Sequence, residues 1–347
     1  MQKILLRLPE VDQIPIKLRD LYERFGYVKY RMAKFEPYDL YREHKGFLKS
    51  EGILTFNDKK GRLLALKPDV TISIVNSIRP EDKEGKYFYV ENVYRAEGGE
   101  YIEINQIGLE YIGGDELYSE IEVILLAYKS LEAVYEKFVL NIGHTGVWSN
   151  CFDYLGFSDK TRLECLGKIK NKNVHELKAI LQREGVSDVD CEMVEILAKL
   201  SGNIDDGLKV LSKYAKVLNI DSYVQELSVI EKAMQELGDL TKINLDLSVI
   251  NDMTYYNGIL FQGFVEGLSK VLLSGGRYDN LMKSFGKDKT AVGFAIYTEE
   301  LERTFKKVEK EDVCKIKGES VVQTLIEVCK TAENGKIARA VVGGEEC

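Results

Sequence analysis

The most regular hydrophobic pattern of the chain lies at residues 243–249, where the segment INLDLSV alternates apolar and polar residues. This period of two predicts a half-buried strand, with the isoleucine, leucines and valine in the core and the polar residues opposite. MTYYNGILF at 253–261 then predicts a turn that runs into a second strand. Paired glycines in SGGRYD, at 274–279, suit a place where backbone passes close to a ligand or another strand.

The first half of the chain predicts one helix, then strands, a second helix and two longer strands. Helical spacing covers 14–25 and ends at Gly26, and a strand-like run follows to residue 36. Further segments are predicted as strands at 53–57 and 63–66, a helix at 71–78, and strands at 86–95 and 100–112. Asp69 stands where a carboxylate caps the helix at 71–78.

The second half predicts a long helix at 118–137, a strand at 138–142 and a helix that starts at His144. Residues 151–240 then have helical spacing with several start and stop signals, which predicts an insertion of four to six helices. We therefore expect a core domain over 1–150 and 241–310, with the helical insertion at 151–240. A charged linker at 306–312 leads to a short segment, 311–347, with a helix at 321–331 and a strand or two.

One strand carries an unusual polar face. Period two on the strand at 100–112 places Gln106, Gly108 and Glu110 together. Polar groups on either side of a glycine make a poor core and a good pocket floor, since the glycine leaves room and its neighbours orient a ligand. A solvated face of an antiparallel sheet is the alternative interpretation.

Composition limits the classes of function. With 347 residues, 45% hydrophobic and 30% charged, the chain is typical of a globular protein of one large domain and a smaller one. A net charge of −8 argues against a general nucleic-acid binder, and no run of residues reaches the length of a membrane span. Six cysteines without C-x-x-C spacing and three histidines predict free thiols in a reducing cytoplasm and no metal site.

Three segments resemble a known family. YYNGILF, SGGRYDNL and AVGFAI are similar to the histidine-recognition loop and third signature motif of histidyl-tRNA synthetases. They resemble most closely a paralogue that is not a synthetase, the regulatory subunit of ATP phosphoribosyltransferase. The resemblance runs over most of residues 1–305. It implies an α+β fold, namely the antiparallel sheet of class II aminoacyl-tRNA synthetases with flanking helices.

The resemblance also implies a histidine-binding site without cofactor or metal. Glu110 matches the position that contacts the imidazole, and Gln106 the position that contacts the polar head of the amino acid. Asp69 and Thr71, in a Pro-Asp-x-Thr segment that looks like the paralogue's, can accept hydrogen bonds from an ammonium group. The predicted histidine-binding residues are Asp69, Thr71, Arg95, Gln106, Glu110, Tyr255, Tyr256 and Tyr278.

The chain departs from the synthetases where ATP would bind. Asn251, Glu100 and Glu300 stand at three positions where the synthetases carry arginines. Arginines neutralise a triphosphate through charge-assisted contacts, whereas a carboxylate about 4 Å from a phosphate repels it by roughly 4 kcal/mol at an effective dielectric of about 20. The pattern is that of a histidine pocket without the nucleotide machinery.

The favoured hypothesis is therefore a regulatory subunit without catalysis of its own. The resemblance implies a homodimer, formed through residues 14–36, within a larger hetero-oligomer with the short catalytic subunit of ATP phosphoribosyltransferase. It implies histidine as the effector and no partnership with nucleic acid or membrane. Two alternatives remain, an authentic histidyl-tRNA synthetase and a synthetase-like enzyme or binding protein for another small metabolite.

Overall fold

The computed structural model describes residues 10–48, 52–79, 81–250, 255–299, 301, 313–336 and 338–341, without the side chains of residues 10, 45 and 97. The chain divides into two compact units, 1–304 and 305–347, and the helical segment at 151–240 belongs to the first. The boundaries predicted for core and insertion within that unit stay a prediction. Asn251, Glu300 and the charged linker at 306–312 lie outside the described residues.

Strands of the first unit form two sheets. In chain order they are β1 (Val28–Lys29), β2 (Phe35–Pro37), β3 (Thr55–Asn57), β4 (Leu63–Leu66), β5 (Glu84–Glu97), β6 (Glu100–Gly113), β7 (Phe138–His144), β8 (Ser201–Asn203), β9 (Ile243–Asp246), β10 (Ile259–Val265), β11 (Leu273–Arg277) and β12 (Ala291–Tyr297). In this part of the chain the large sheet has nine strands in the order β1-β5-β6-β12-β11-β10-β7-β9-β8, and the small sheet has the order β2-β4-β3. Among the described strand pairs of the large sheet, only β1–β5 and β7–β9 are parallel. The predicted antiparallel sheet is confirmed.

Helices lie between the strands. Those of the first unit are α1 (Glu10–Arg24), α2 (Tyr38–Glu43), α3 (Val70–Ser77), α4 (Glu116–Val134), α5 (Thr145–Tyr154), α6 (Asp159–Lys170), α7 (Val174–Arg183), α8 (Asp188–Ala198), α9 (Ile204–Tyr214), α10 (Asp221–Leu237) and α11 (Asp279–Ser284). The segment at 151–240 thus contains five whole helices, α6 to α10, within the predicted range of four to six. Its strand β8 joins the edge of the large sheet beside β9.

The two faces of the large sheet have different cover. On one face α1 and α4 pack against the strands, and the buried Tyr22 of α1 contacts Phe88 and Phe294 with ring centroids 5.9 and 6.2 Å apart. On the other face α3 shares a buried cluster with residues of β5, β10 and β12. That second face also carries Gln106 and Glu110, so the site is built between the sheet and α3.

Two strand predictions need correction. The alternating segment at 243–249 buries all four of its apolar residues, but β9 ends at Asp246 because the carboxylate of Asp246 accepts from the Ser248 amide at 2.8 Å and turns the chain. Asp246 itself is buried, with hydrogen bonds from Ser201 and Lys172, whereas Asn244 and Ser248 on the same face are partly exposed. The strand-like run at 27–36 divides between β1 of the large sheet and β2 of the small one.

The second unit, described by itself, is a β-α-β arrangement. Its elements are β13 (Cys314–Ile316), α12 (Val321–Glu333) and β14 (Ala338–Ala340), with the two strands parallel. Ser320 caps α12 by accepting from the Gln323 amide at 3.2 Å. The helix and the strands predicted for this segment are confirmed.

Candidate functional site

A cavity of about 40 Å³ lies between the large sheet and the N-terminal end of α3. Its described lining includes all eight residues that the sequence predicts for a histidine site: Asp69, Thr71, Arg95, Gln106, Glu110, Tyr255, Tyr256 and Tyr278. It also includes Phe47, Tyr89, Ser274, Gly293, Phe294, Ala295 and Tyr297. The fold thus brings the predicted residues together, and their binding of histidine stays a prediction.

The strand register explains how the floor of the cavity forms. Gly293 of β12 lies opposite Glu110 of β6, and Tyr297 lies opposite Gln106. Because side chains alternate between the two faces of a sheet, these four residues share the face that α3 covers. The predicted polar face of β6 is therefore a buried floor, with Gln106 5% and Glu110 2% exposed.

Two glycines make room on this floor, but for different groups. A Cβ on Gly293 would overlap with the carboxylate of Glu110, so this glycine makes space for the carboxylate. A Cβ on Gly108 would overlap with the hydroxyl of Tyr89 on the neighbouring strand. The expectation that Gly108 leaves room for a ligand is wrong, because the ring of Tyr89 fills that space.

Glu110 is held by two hydroxyl groups. Thr71 donates to one carboxylate oxygen at 2.7 Å and Tyr278 donates to the other at 2.7 Å. Burial raises the pKa of Glu110 to about 8, and the two hydrogen bonds counteract the rise. A carboxyl group with such a pKa exists in both protonation states near neutral pH, so it can accept from or donate to a ligand.

Asp69 and Arg95 form an ion pair at the N-terminal end of α3. One oxygen of Asp69 caps the helix by accepting from the Ile72 amide at 3.0 Å, and the other lies 3.2 Å from the Arg95 guanidinium. Arg95 also donates to the carbonyl of Pro68 at 3.0 Å. The predicted capping role of Asp69 is confirmed, and the same carboxylate holds the guanidinium over the cavity.

Three buried tyrosines form an aromatic wall. The rings of Tyr255 and Tyr256 lie 4.5 Å apart, and Tyr255 lies 5.9 Å from Tyr278 and 6.1 Å from Phe47. Burial raises the pKa of Tyr278 well above its usual value, and the charge of Glu110 raises it further. Its hydroxyl therefore stays protonated and serves Glu110 as a hydrogen-bond donor.

Sequence reasoning missed several lining residues. Tyr89 was detectable, because period two on β5 places it on the same face as Arg95. Tyr297 and Ala295 follow in the same way from Gly293 on β12. Phe47 had no signal, since it reaches the cavity from a short 3-10 helix after α2 that no repeat predicts.

The described lining has little positive charge. Among the described lining residues Arg95 is the only cation, whereas Asp69 and Glu110 are acids. Glu100, at the start of β6, is exposed and does not line the cavity. The arrangement suits a small ligand with an ammonium group and a hydrogen-bonding ring better than a triphosphate.

Metal and cysteine chemistry have no support in the described residues. In that part of the chain no group of three or more His, Cys, Asp or Glu residues is arranged to hold a metal ion. The five described cysteines are free thiols, and Cys151, Cys165 and Cys191 are buried. Burial raises the pKa of Cys151 to about 12, so its thiol stays protonated and unreactive.

Known proteins are similar to this chain over most of its length. The family model for histidyl-tRNA synthetase matches residues 8–301. The chain belongs to this family. One relative, a protein named ATP phosphoribosyltransferase regulatory subunit from Caldanaerobacter subterraneus subsp. tengcongensis, is 32% identical over 294 residues, which cover 82% of this chain and 75% of the relative.

Solved structures of the family share the fold. A Bacillus halodurans protein, described as an ATP phosphoribosyltransferase regulatory subunit/histidyl-tRNA synthetase, gives a TM-score of 0.79 at 22% identity over 97% of this chain and 90% of its own. A chain of the ATP phosphoribosyl transferase (HisG:HisZ) complex from Thermotoga maritima gives 0.65 at 20% identity over 83% of this chain and 97% of its own. The predicted class II synthetase-like fold is confirmed.

None of the described helices combines the length and the apolar character that a membrane span requires.

Proposed function

We propose that this family member is the regulatory subunit of an ATP phosphoribosyltransferase, without catalysis of its own. In this proposal it activates a short catalytic subunit and carries the feedback inhibition by histidine of the first step of histidine biosynthesis. The observation that carries the proposal is the cavity, which keeps the groups that recognise an amino acid and has one described cation, Arg95, already paired with Asp69. The 32% identical relative named ATP phosphoribosyltransferase regulatory subunit supports the same assignment.

Each part of histidine has a partner in the cavity. Glu110 and Tyr256 recognise the imidazole, Asp69 and Thr71 the ammonium group, and Gln106 the polar head. Arg95 is left for the carboxylate, because Asn251 stands where the family carries an arginine.

In this proposal ligand entry rearranges the hydrogen bonds inside the cavity. In the free protein the hydroxyl groups of Thr71 and Tyr278 both donate hydrogen bonds to Glu110. Histidine would replace the Thr71 contact with its own imidazole, so the ligand-bound and free proteins differ in this hydrogen bond.

The deciding experiment adds the purified chain to the short catalytic subunit and measures the transfer of a phosphoribosyl group to ATP. We expect activation by the chain and inhibition by added histidine. We also expect no histidine-dependent exchange of pyrophosphate into ATP by the chain alone. Exchange well above the blank would favour the synthetase, and neither activation nor exchange would favour a binding protein for another metabolite.

Glu110→Ala tests the pocket itself. Loss of a charge-assisted hydrogen bond costs roughly 1.5–3 kcal/mol, so calorimetry should show histidine binding weakened by about ten- to a hundredfold. Glu122→Ala is the control, since Glu122 is also a buried glutamate but lies on α4, on the opposite face, with Tyr27 and Lys86. If Glu110→Ala binds histidine as the parent does, feedback operates at another site.

A further inference from the structure

The proposed ligand contacts use only the tyrosine of the SGGRYDNL segment. Its neighbours Arg277 and Asp279 do not line the cavity. The guanidinium of Arg277 meets one oxygen of Asp279 through two nitrogens, at 2.7 and 2.6 Å. On its other side it lies 3.3 Å from Glu120 and contacts Glu116.

Asp279 joins three segments of the chain. It is 5% exposed, and one of its oxygens accepts from the Ala291 amide of β12 at 2.9 Å. The other oxygen, which Arg277 holds, also accepts from the Asn257 side chain at 3.2 Å. A single carboxylate thus ties the end of β11 to β12 and to the loop at 255–258.

The tied segments carry the aromatic wall. Asn257 directly follows Tyr255 and Tyr256, and its amide donates to the Arg277 carbonyl at 3.0 Å. Its side-chain oxygen accepts from the Asn280 amide at 3.1 Å. Tyr278 is held from the other side, where its amide donates to the Ala291 carbonyl at 2.7 Å.

We propose that Arg277 and Asp279 are positioning residues, a clamp that sets how tightly the site binds its ligand by holding Tyr278 and the Tyr255–Tyr256 loop against Glu110. The inference rests on the proposed function, because it takes histidine as the ligand. Neither side chain touches the ligand. Both act through the tyrosines.

The chemistry of the clamp calls for arginine. A planar guanidinium presents a fork of donors that spans Asp279 on one side and Glu120 on the other, which a lysine ammonium cannot do. Glu120 is only 2% exposed, and burial, followed by the charges of Glu226 and Asp279, raises its pKa to about 9. Carboxyl groups therefore surround Arg277, and its removal would leave the buried carboxylate of Asp279 without its charged partner.

Asp279→Asn tests the clamp with little change in shape. The amide oxygen still accepts from Ala291, but the amide nitrogen faces the donors of Arg277 and Asn257. We expect calorimetry to show histidine binding weakened about tenfold, within the coupling energies of residues in one network. Asp246→Asn is the matched control, because Asp246 is equally buried and bonded yet lies outside the lining. The control should lower stability and leave histidine affinity unchanged.

A double-mutant cycle separates positioning from general damage. If Asp279 acts through Tyr278, the loss in Tyr278→Phe plus Asp279→Asn is smaller than the product of the two single losses. Independent losses, or an equal loss in Asp246→Asn, would overturn the clamp. Asn257→Ala removes the same link from a partly exposed position, and it is the substitute if Asp279→Asn does not fold.

A measurement without ligand keeps the two proposals distinguishable. If the parent protein does not bind histidine, the proposed function fails, and the clamp is then tested by carbon NMR titration of Glu110. Since the Tyr278 hydrogen bond lowers the pKa of Glu110, a displaced Tyr278 should raise that pKa in Asp279→Asn and not in Asp246→Asn. An unchanged pKa in Asp279→Asn would overturn the clamp.

Discussion

Glu110 makes the stability of the protein depend on pH. Its folded pKa is raised to about 8 from an ordinary value of 4.5, with burial as the main cause. Between these values the folded protein keeps a proton that the unfolded chain has released, so stability falls as pH rises. The stability linked to this proton is fully present below pH 4.5 and is lost as pH rises through about 8.

Glu110→Gln should remove this dependence. From about pH 5 to about pH 8.5 we expect the parent to lose a few kcal/mol more unfolding free energy than the variant. Urea denaturation of both proteins at the two pH values measures the difference, in which groups common to both cancel. Parallel losses in parent and variant would show that Glu110 is already ionised at low pH in the folded protein.

Gly293 matters because the carboxylate of Glu110 lies where its side chain would be. Gly293→Ala should destabilise the protein by roughly 1–3 kcal/mol through overpacking and abolish histidine binding. Gly167→Ala is the control, because Gly167 lies inside α6 and a Cβ there would meet nothing within 4 Å. A helical alanine should raise stability by roughly 0.5–1 kcal/mol. Thermal unfolding and calorimetry distinguish the two variants, and normal binding by Gly293→Ala would contradict the geometry.

At the scale of elements, the N-cap residue of α3, Asp69, has two roles. Asp69 caps the helix and also pairs with Arg95 at its N-terminus. Asparagine caps a helix about as well as aspartate but carries no charge. The two roles can therefore be separated by substitution.

Asp69→Asn and Asp69→Ala should both lose histidine affinity, because both remove the charge that faces the ammonium group. Only Asp69→Ala should also lose about 1 kcal/mol of unfolding free energy from the missing cap. Ser158→Ala, which removes the cap of α6, should show that cost without an effect on binding. Calorimetry and urea denaturation test all three. Full affinity in Asp69→Asn would leave Asp69 as a cap alone.

At the scale of the molecule, the segment predicted to form a two-fold interface exposes apolar side chains. Ile16, Val28 and Phe35 are 40, 58 and 53% exposed, and β1 is an edge strand of the large sheet. Exposed apolar side chains and an open strand edge are features of a surface that pairs with another copy. The homodimer stays a proposal for this chain.

Val28→Asp combined with Phe35→Asp should convert the dimer to a monomer. In an isologous interface both subunits contribute the same surface, so each substitution introduces two charges into it. Light scattering at micromolar concentration measures the mass. Leu163→Asp is the control, since Leu163 is 71% exposed on α6, outside the segment. A monomeric parent, or a dimeric double variant, would rule out this interface.

The sequence alone determined most elements and selected the residues of the predicted site. Alternation on β6 and helical spacing in α1, α4 and α12 are local patterns, and local patterns survive folding when one face is buried. The cap by Asp69 was also readable, because capping involves residues three apart. Family motifs selected eight residues that the fold does bring to one cavity.

Tertiary structure decided what depends on neighbours from distant parts of the chain. Tyr89 fills the space beside Gly108 only because β5 pairs with β6 in one register. Asp246 is buried because Lys172 and Ser201, from the helical segment, satisfy its carboxylate. The pKa of Glu110 likewise depends on Thr71 and Tyr278, which lie 39 and 168 residues away in sequence. Packing and electrostatics sum over spatial neighbours, and no periodicity along the chain encodes them.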